Sequence, residues 1–162
     1  MRSIDQSLAD LPIIWRHGDA AAYEEARIGR VFNHRRPKRF PVAVVEASTE
    51  QDVVDAVKLA RQQDCRVSVR SGGHSWAAWS VRDNAILIDL GRLHCMDFDE
   101  DAKTIRASPS TTGRQLNEFL GRKGYFFAGG HCPDVGLGGF LLQGGMGWNC
   151  KVFAHPTCPN PI

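Results

Sequence analysis

Long apolar runs are missing from this chain of 162 residues, which excludes a helix that spans a bilayer. The first residues, Met1-Arg2-Ser3-Ile4-Asp5, lack the apolar stretch of a secretory signal, so a cytoplasmic location is the default expectation. Charge of one sign is also scarce. Lys and Arg number 20 against 18 Asp and Glu, a net charge of +2, so no strong pull toward nucleic acid or an anionic membrane is expected. Cysteines number five, and an odd count rules out a fully paired disulfide scaffold in a monomer. They stand at 65, 95, 132, 150 and 158, with no Cys-x-x-Cys among them, so no metal site is expected. Cys150, His155 and Cys158 are close in sequence, but no helical or hairpin pattern orients them as ligands. There is no internal repeat and no low-complexity tract. What remains is ordinary for a globular protein: 43% hydrophobic and 23% charged residues. A chain of this size buries roughly 70% of its unfolded surface on folding, enough for one real core.

The pattern of elements is that of an α/β (α+β) chain. Residues 4–28 read as helical, with Leu8, Leu11 and Trp15 at near-helical spacing, a break at Pro12, and a resumption from Tyr23 to Ile28. His34-Arg35-Arg36-Pro37-Lys38-Arg39 follows as a solvated connector. No second basic cluster or interleaved aromatic supports a nucleic-acid surface there. Residues 42–45 are a β-branched strand, and Ser48-Thr49-Glu50-Gln51 opens a helix with Ser48 as its cap and Gln51 reaching back. Val53, Val57 and Ala60 make its apolar face. Residues 67–69 are a second strand, and this order implies a right-handed βαβ unit with a parallel pair. Residues 85–90 are a third, near-continuously apolar strand, which argues burial on both faces. Residues 94–108 read as a hairpin, with strands at 96–99 and 104–107. Thr111 or Thr112 then caps a helix bearing Leu116, Phe119 and Leu120, and Gly124 ends it as a left-handed residue.

Two glycine-rich loops carry the chemistry. The first is Arg70-Ser71-Gly72-Gly73-His74-Ser75. It follows a strand, and in open α/β sheets ligands sit beyond the carboxyl ends of strands. Gly72 and Gly73 let the backbone approach a ligand. Successive N–H groups in such a turn cradle an anion, Ser71 and Ser75 add hydroxyls, and Arg70 adds a charge suited to phosphate. His74 is a nucleophile beside that cradle; taken alone, it reads equally well as a buried, hydrogen-bonded turn residue. The second loop is Gly129-Gly130-His131-Cys132-Pro133-Asp134-Val135-Gly136-Leu137-Gly138-Gly139, followed by Gly144-Gly145-Met146-Gly147-Trp148. Cys132 is reactive as a thiolate, which local N–H dipoles favour; alone, it reads as a small residue in a tight turn. Together the loops suggest a large phosphorylated cofactor bonded to the protein.

Three segments, Asp52-Val53-Val54-Asp55-Ala56-Val57, the 70–75 loop and residues 132–148, together resemble one family. It is the PCMH-type FAD-binding domain shared by vanillyl-alcohol oxidase and p-cresol methylhydroxylase. Within that superfamily the nearest likeness is to berberine-bridge-enzyme-like oxidases, glucooligosaccharide oxidase types included. The resemblance implies a small parallel βαβ unit beside a mixed or antiparallel sheet with helices, and FAD as the cofactor. It further implies two covalent bonds, from His74 to the 8α-methyl of FAD and from Cys132 to C6 of its ring system. The cofactor-binding residues it implies are Arg70, Ser71, Gly72, Gly73, His74, Ser75, Leu90, Thr111, Cys132, Val135, Gly136, Gly138, Gly139, Gly144 and Gly145. The implied activity is oxygen-dependent oxidation of an alcohol, a sugar or a secondary metabolite.

The resemblance runs from about residue 40 to 148. The expected organisation is therefore a helical segment and connector over 1–39, the FAD-binding domain over 40–150, and an irregular tail over 151–162. Pro156, Pro159 and Pro161 exclude helix from that tail and disfavour a central strand. It reads as foreign to the fold, the mark of a C-terminally truncated member. The family's catalytic base and substrate-binding sheet fall in the part not represented, so no catalytic residue is assigned, and a small-molecule substrate is expected only where that part is supplied. Two other readings stand beside this one: a noncovalent FAD dehydrogenase or reductase on the same fold, and a flavin-holding remnant without catalysis.

Overall fold

The computed structural model describes residues 10–148 and divides the chain into two compact units, one ending at Leu93 and one beginning at His94. The first unit contains β1 (Ile13–Trp15), α1 (Ala20–Ile28), β2 (Ala43–Glu46), α2 (Glu50–Gln62), β3 (Arg66–Arg70) and β4 (Ala85–Asp89). Its four strands lie in the order β1-β2-β4-β3. β2, β4 and β3 are parallel, and β1 pairs antiparallel with β2. The βαβ crossover expected from the sequence is present, but its two strands are not neighbours, because β4 inserts between them. Composition explains the insertion. β4 reads Ala-Ile-Leu-Ile-Asp and is buried throughout, as a central parallel strand requires. β3 carries the exposed Val67 and Val69 and stands at the edge.

Alternation along the strands divides the core. Val44 and Leu87 pack with Tyr23 and Ala26 of α1. Val45, Ile86 and Ile88 pack with Ala56, Leu59 and Ala60 of α2. The helix expected over 4–28 is corrected: Ile13-Ile14-Trp15 forms β1, and the helix begins only at Ala20. Branched and aromatic residues after Pro12 favour extended chain. Asp19 then starts α1, its carboxylate accepting from the N–H groups of Ala21 and Ala22 at 2.8 Å each. Residues 4–9 lie outside the described residues. The cap of α2 also moves by one: Thr49 Oγ1 accepts from Asp52 N at 3.1 Å, and the Asp52 carboxylate accepts from Thr49 N at 3.0 Å and Ser48 N at 2.8 Å.

The second unit contains β5 (Met96–Asp99), β6 (Thr104–Ala107), α3 (Gly113–Gly121) and α4 (Leu137–Leu142). β5 and β6 form the expected antiparallel hairpin. Thr112 caps α3 in a box with Gln115, and Gly124 takes the expected left-handed conformation at φ 79°. Leu116 and Leu120 of α3 pack with Leu137, against Met96, Phe98, Ile105 and Ala107 of the hairpin. The helix α4 was not legible within the glycine-rich stretch; Leu137 and Phe140 bury its inner side. The tail expected over 151–162 lies outside the described residues. Among the described residues no helix is long and apolar enough to cross a membrane.

Candidate cofactor site

The first glycine loop leaves the carboxyl end of β3. Arg70, the last residue of that strand, is only 2% exposed. It sits in register with Asp89 at the end of β4. Arg70 Nε donates to Asp89 Oδ2 at 2.7 Å, Nη1 donates to the carbonyl of Arg27 at 2.7 Å, and Nη2 donates to Asp89 and to the carbonyl of Ala26. The other Asp89 oxygen accepts from Arg30 Nη1, and from Gly91 N at 2.7 Å. Burial pulls the Arg70 guanidinium below its ordinary pKa, and the Asp89 carboxylate opposes that shift. The positive charge that the sequence offers to a phosphate is therefore turned inward. A buried carboxylate next in register needs a cation, and Arg70 supplies it.

The loop beyond Arg70 is clasped from residues 30–32. Arg30 Nη2 donates to the carbonyl of Ser71 at 2.7 Å, and Phe32 N donates to that of Gly73 at 3.2 Å. Gly73 has φ 72°, and a Cβ there would lie 1.9 Å from the carbonyl oxygen of Arg30, so only glycine fits. Among the described residues no backbone carbonyl accepts from the N–H of Gly72 or of Gly73. His74 is half-buried, its ring stacked on Phe32 with centroids 3.8 Å apart and planes at 10°. Ser75 turns the chain away: its carbonyl accepts from Ala78 N at 3.0 Å and its Oγ from Trp79 N at 3.2 Å. Leu90 N donates to the carbonyl of Arg70 at 2.9 Å, while its side chain lies in the core against α2.

In the second unit, the segment before α3 is laced to the second loop. Leu137 N donates to the carbonyl of Thr111 at 2.8 Å, Gly138 N to that of Pro109 at 2.8 Å, and Gly113 N to that of Val135 at 3.2 Å. Gly136 caps α4 and bridges Thr112. Thr111 is buried, its Oγ1 2.9 Å from Ser108 Oγ. Ser110 Oγ is buried with no hydrogen-bond partner among the described residues. Arg114 and Asp134 form a bidentate pair at 2.8 and 3.1 Å across the loop. Cys132 is exposed, two residues from Asp134. The Gly139 carbonyl accepts from Gln143 N at 3.2 Å. Gly144 is left-handed at φ 73°, and a Cβ on Gly145 would meet the Phe140 ring at 2.0 Å. Gly145 thus packs α4 as well as belonging to the loop. A groove of about 600 Å³ runs past Gly129 and Gly130 between Arg114, Asn117, Tyr125 and Trp148. Leu142 at 85% and Trp148 at 81% exposure stand out on this unit.

Residues 41–156 match the family model described as an FAD binding domain. The chain belongs to the family of FAD-binding domains. This FAD-binding domain is 47% identical over 146 residues to the FAD-linked oxidoreductase nodO of Hypoxylon pulicicidum, covering 90% of this chain and 32% of that protein. To the FAD-linked oxidoreductase janO of Penicillium janthinellum it is 39% identical over 149 residues, covering 92% and 33%. Among solved structures, Physcomitrella patens BBE-like 1 superposes with a TM-score of 0.80 at 26% identity, over 93% of this chain and 32% of that one. A chitooligosaccharide oxidase superposes at 0.75 with 28% identity, over 90% and 31%. The chain thus spans about a third of the length of the relatives it matches.

Three features within the FAD-binding domain fit the cofactor its family binds. The N–H groups of Gly72 and Gly73 have no backbone acceptor among the described residues, as an anion cradle requires. The Gly73 turn has no room for a Cβ. Ser110 Oγ is a buried hydroxyl still in need of a partner. Arg30, Phe32 and Asp89 were not singled out by sequence reasoning. Asp89 carried a usable signal, a carboxylate closing an otherwise apolar strand. Arg30 and Phe32 carried none, since a connector contributes residues by tertiary placement alone.

Proposed function

We propose that this chain is the cofactor module of a flavin-dependent oxidoreductase and holds FAD through covalent bonds to both His74 and Cys132. FAD binding follows from the family; the two bonds rest on the nucleophiles and their settings. The observation that carries the reading is His74: a nucleophilic ring held at a glycine turn, next to two N–H groups without a backbone acceptor among the described residues. Cys132 supports it by standing exposed on a loop that Arg114 and Asp134 brace, where its sulfur is accessible.

Ser71, Gly72, Gly73 and Ser75 would hold phosphate or ring polar atoms through the first loop. Thr111, Val135, Gly136, Gly138 and Gly139 would line the cofactor through the second, with Gly144 and Gly145 shaping its far end. Arg70 and Leu90 would shape the site from behind, since the Arg70 guanidinium is committed to Asp89 and the Leu90 N–H to the Arg70 carbonyl. When bound, FAD supplies two-electron redox chemistry, and the protein's part is positioning and tuning. The substrate would be an alcohol, a sugar or a secondary metabolite, in keeping with relatives named FAD-linked oxidoreductases and a solved neighbour named chitooligosaccharide oxidase. No residue of this chain is assigned as the catalytic base.

Acid precipitation of the FAD-loaded protein tests the reading. Flavin should stay with the pellet, and peptide mass mapping should find it on His74 and Cys132. His74→Ala or Cys132→Ala alone should leave one bond, and the double variant should release all flavin. Yellow colour passing wholly to the supernatant from the unmutated protein would overturn covalent attachment.

A further inference from the structure

We infer that Phe32 is a positioning residue for His74, fixing the plane of its ring for bond formation with FAD. This rests on the covalent reading above. The connector after α1 is anchored where it meets the loop. Val31 is buried with Ile28, Ala78 and Val81, and its N–H donates to the carbonyl of Ile28 at 2.8 Å. From that anchor, Phe32 reaches the loop twice. Its N–H holds the Gly73 carbonyl at 3.2 Å, and its ring lies flat on His74 at 3.8 Å. Trp76 meets the Phe32 ring edge-on, with centroids 5.2 Å apart and planes at 88°, which restrains Phe32 in turn.

The lone pair of an imidazole nitrogen lies in the ring plane. A stack on the ring face therefore fixes the plane of attack without itself occupying the in-plane lone pair. The bond joins an imidazole nitrogen of His74 to the 8α carbon of FAD. One N–H proton and one 8α C–H proton pass to water, two electrons remain on the flavin, and dioxygen takes them with two protons as hydrogen peroxide. Phe32 gives or takes no proton, electron or bond in this step. It acts by holding the nucleophile within the narrow range of directions that bond formation needs, where misplacement costs up to about a hundredfold in rate.

The test uses the full chain carrying Cys132→Ser, so that only the His74 bond can form. Apoprotein is mixed with FAD in air, and acid-insoluble flavin is followed over time beside total bound flavin. Phe32→Leu should slow covalent incorporation by about tenfold or more while noncovalent FAD is still retained, and Phe32→Tyr should restore the rate. In the apoprotein, the His74 ring protons should show an upfield NMR displacement that Phe32→Leu removes and Phe32→Tyr keeps. Equal rates with and without the Phe32→Leu substitution would overturn the positioning role and leave the His74 bond standing. Bound flavin that never becomes acid-insoluble in the Cys132→Ser protein would overturn the His74 bond, and this inference with it. A Phe32→Tyr protein that keeps the NMR displacement but links as slowly as Phe32→Leu would also overturn it.

Discussion

Removing Asp89 should cost more stability than removing the arginine it pairs with. Asp89→Ala strips the carboxylate from Arg70, whose side chain is 1% exposed, and an uncompensated buried charge costs about 3–5 kcal/mol. The Gly91 N–H loses its acceptor as well, adding about 1 kcal/mol. Arg30, with 37% of its side chain exposed, turns to water at little cost. The total is roughly 4–6 kcal/mol. Arg70→Met leaves Asp89 Oδ1 with Arg30 and Gly91 as partners, and strands Asp89 Oδ2 and the carbonyls of Ala26 and Arg27, at about 1 kcal/mol each, a sum still below the cost of Asp89→Ala. The double variant holds no lone buried charge, so it should cost less than the sum of the singles by about 2 kcal/mol or more. Urea titration followed by tryptophan fluorescence reads this directly, because Trp15 reports from β1 of the same sheet. An Arg70→Met cost equal to or above that of Asp89→Ala, or singles that add within about 0.5 kcal/mol, would refute the reasoning.

Gly73→Ala should be severe for a single methyl. A left-handed alanine costs about 1–2 kcal/mol, and the overlap of its Cβ with the Arg30 carbonyl at 1.9 Å adds about 1–3 kcal/mol; at about 2–4 °C per kcal/mol for a chain of this length, the melting temperature should fall by roughly 4–20 °C, with a calorimetric change below about 2 °C contradicting it. Stability should also decline in acid. Burial pushes the Asp52 carboxyl up, but hydrogen bonds from Ser48 and Thr49 outweigh it and hold the group below its ordinary value, and the hydrogen bond from Arg27 lowers Glu24. A folded-state pKa below the unfolded one gives stability that is complete above the unfolded value, about 4, and is lost as pH falls through the folded value. Melting followed by circular dichroism should therefore drop between about pH 5 and pH 2, less steeply in Asp52→Ala; a melting temperature that holds or rises over that window would refute it.

What could be read in the sequence was what short-range chemistry decides. The hairpin over 96–107 and the helix capped near Thr112 were legible because alternation and a side-chain cap are written within a few residues of one another. Ile13-Ile14-Trp15 was misread because three residues carry too little period to separate strand from helix, and only pairing with β2 decides it. The position of β4 between β2 and β3 was equally hidden, since chain order says nothing of spatial order once crossovers intervene. The candidate site divides along the same line. Glycine, histidine and cysteine mark their loops by residue type, so 70–75 and 132–148 stood out. Arg70 was read outward because its loop suggests phosphate, yet its neighbour in register 19 residues away turns it inward. A polar residue at the end of a buried strand should therefore be tested against the ends of adjacent strands before it is given to a ligand. By that test Asp89 claims Arg70, and in the function proposed above the backbone of Gly72 and Gly73, not the Arg70 side chain, would meet an anion.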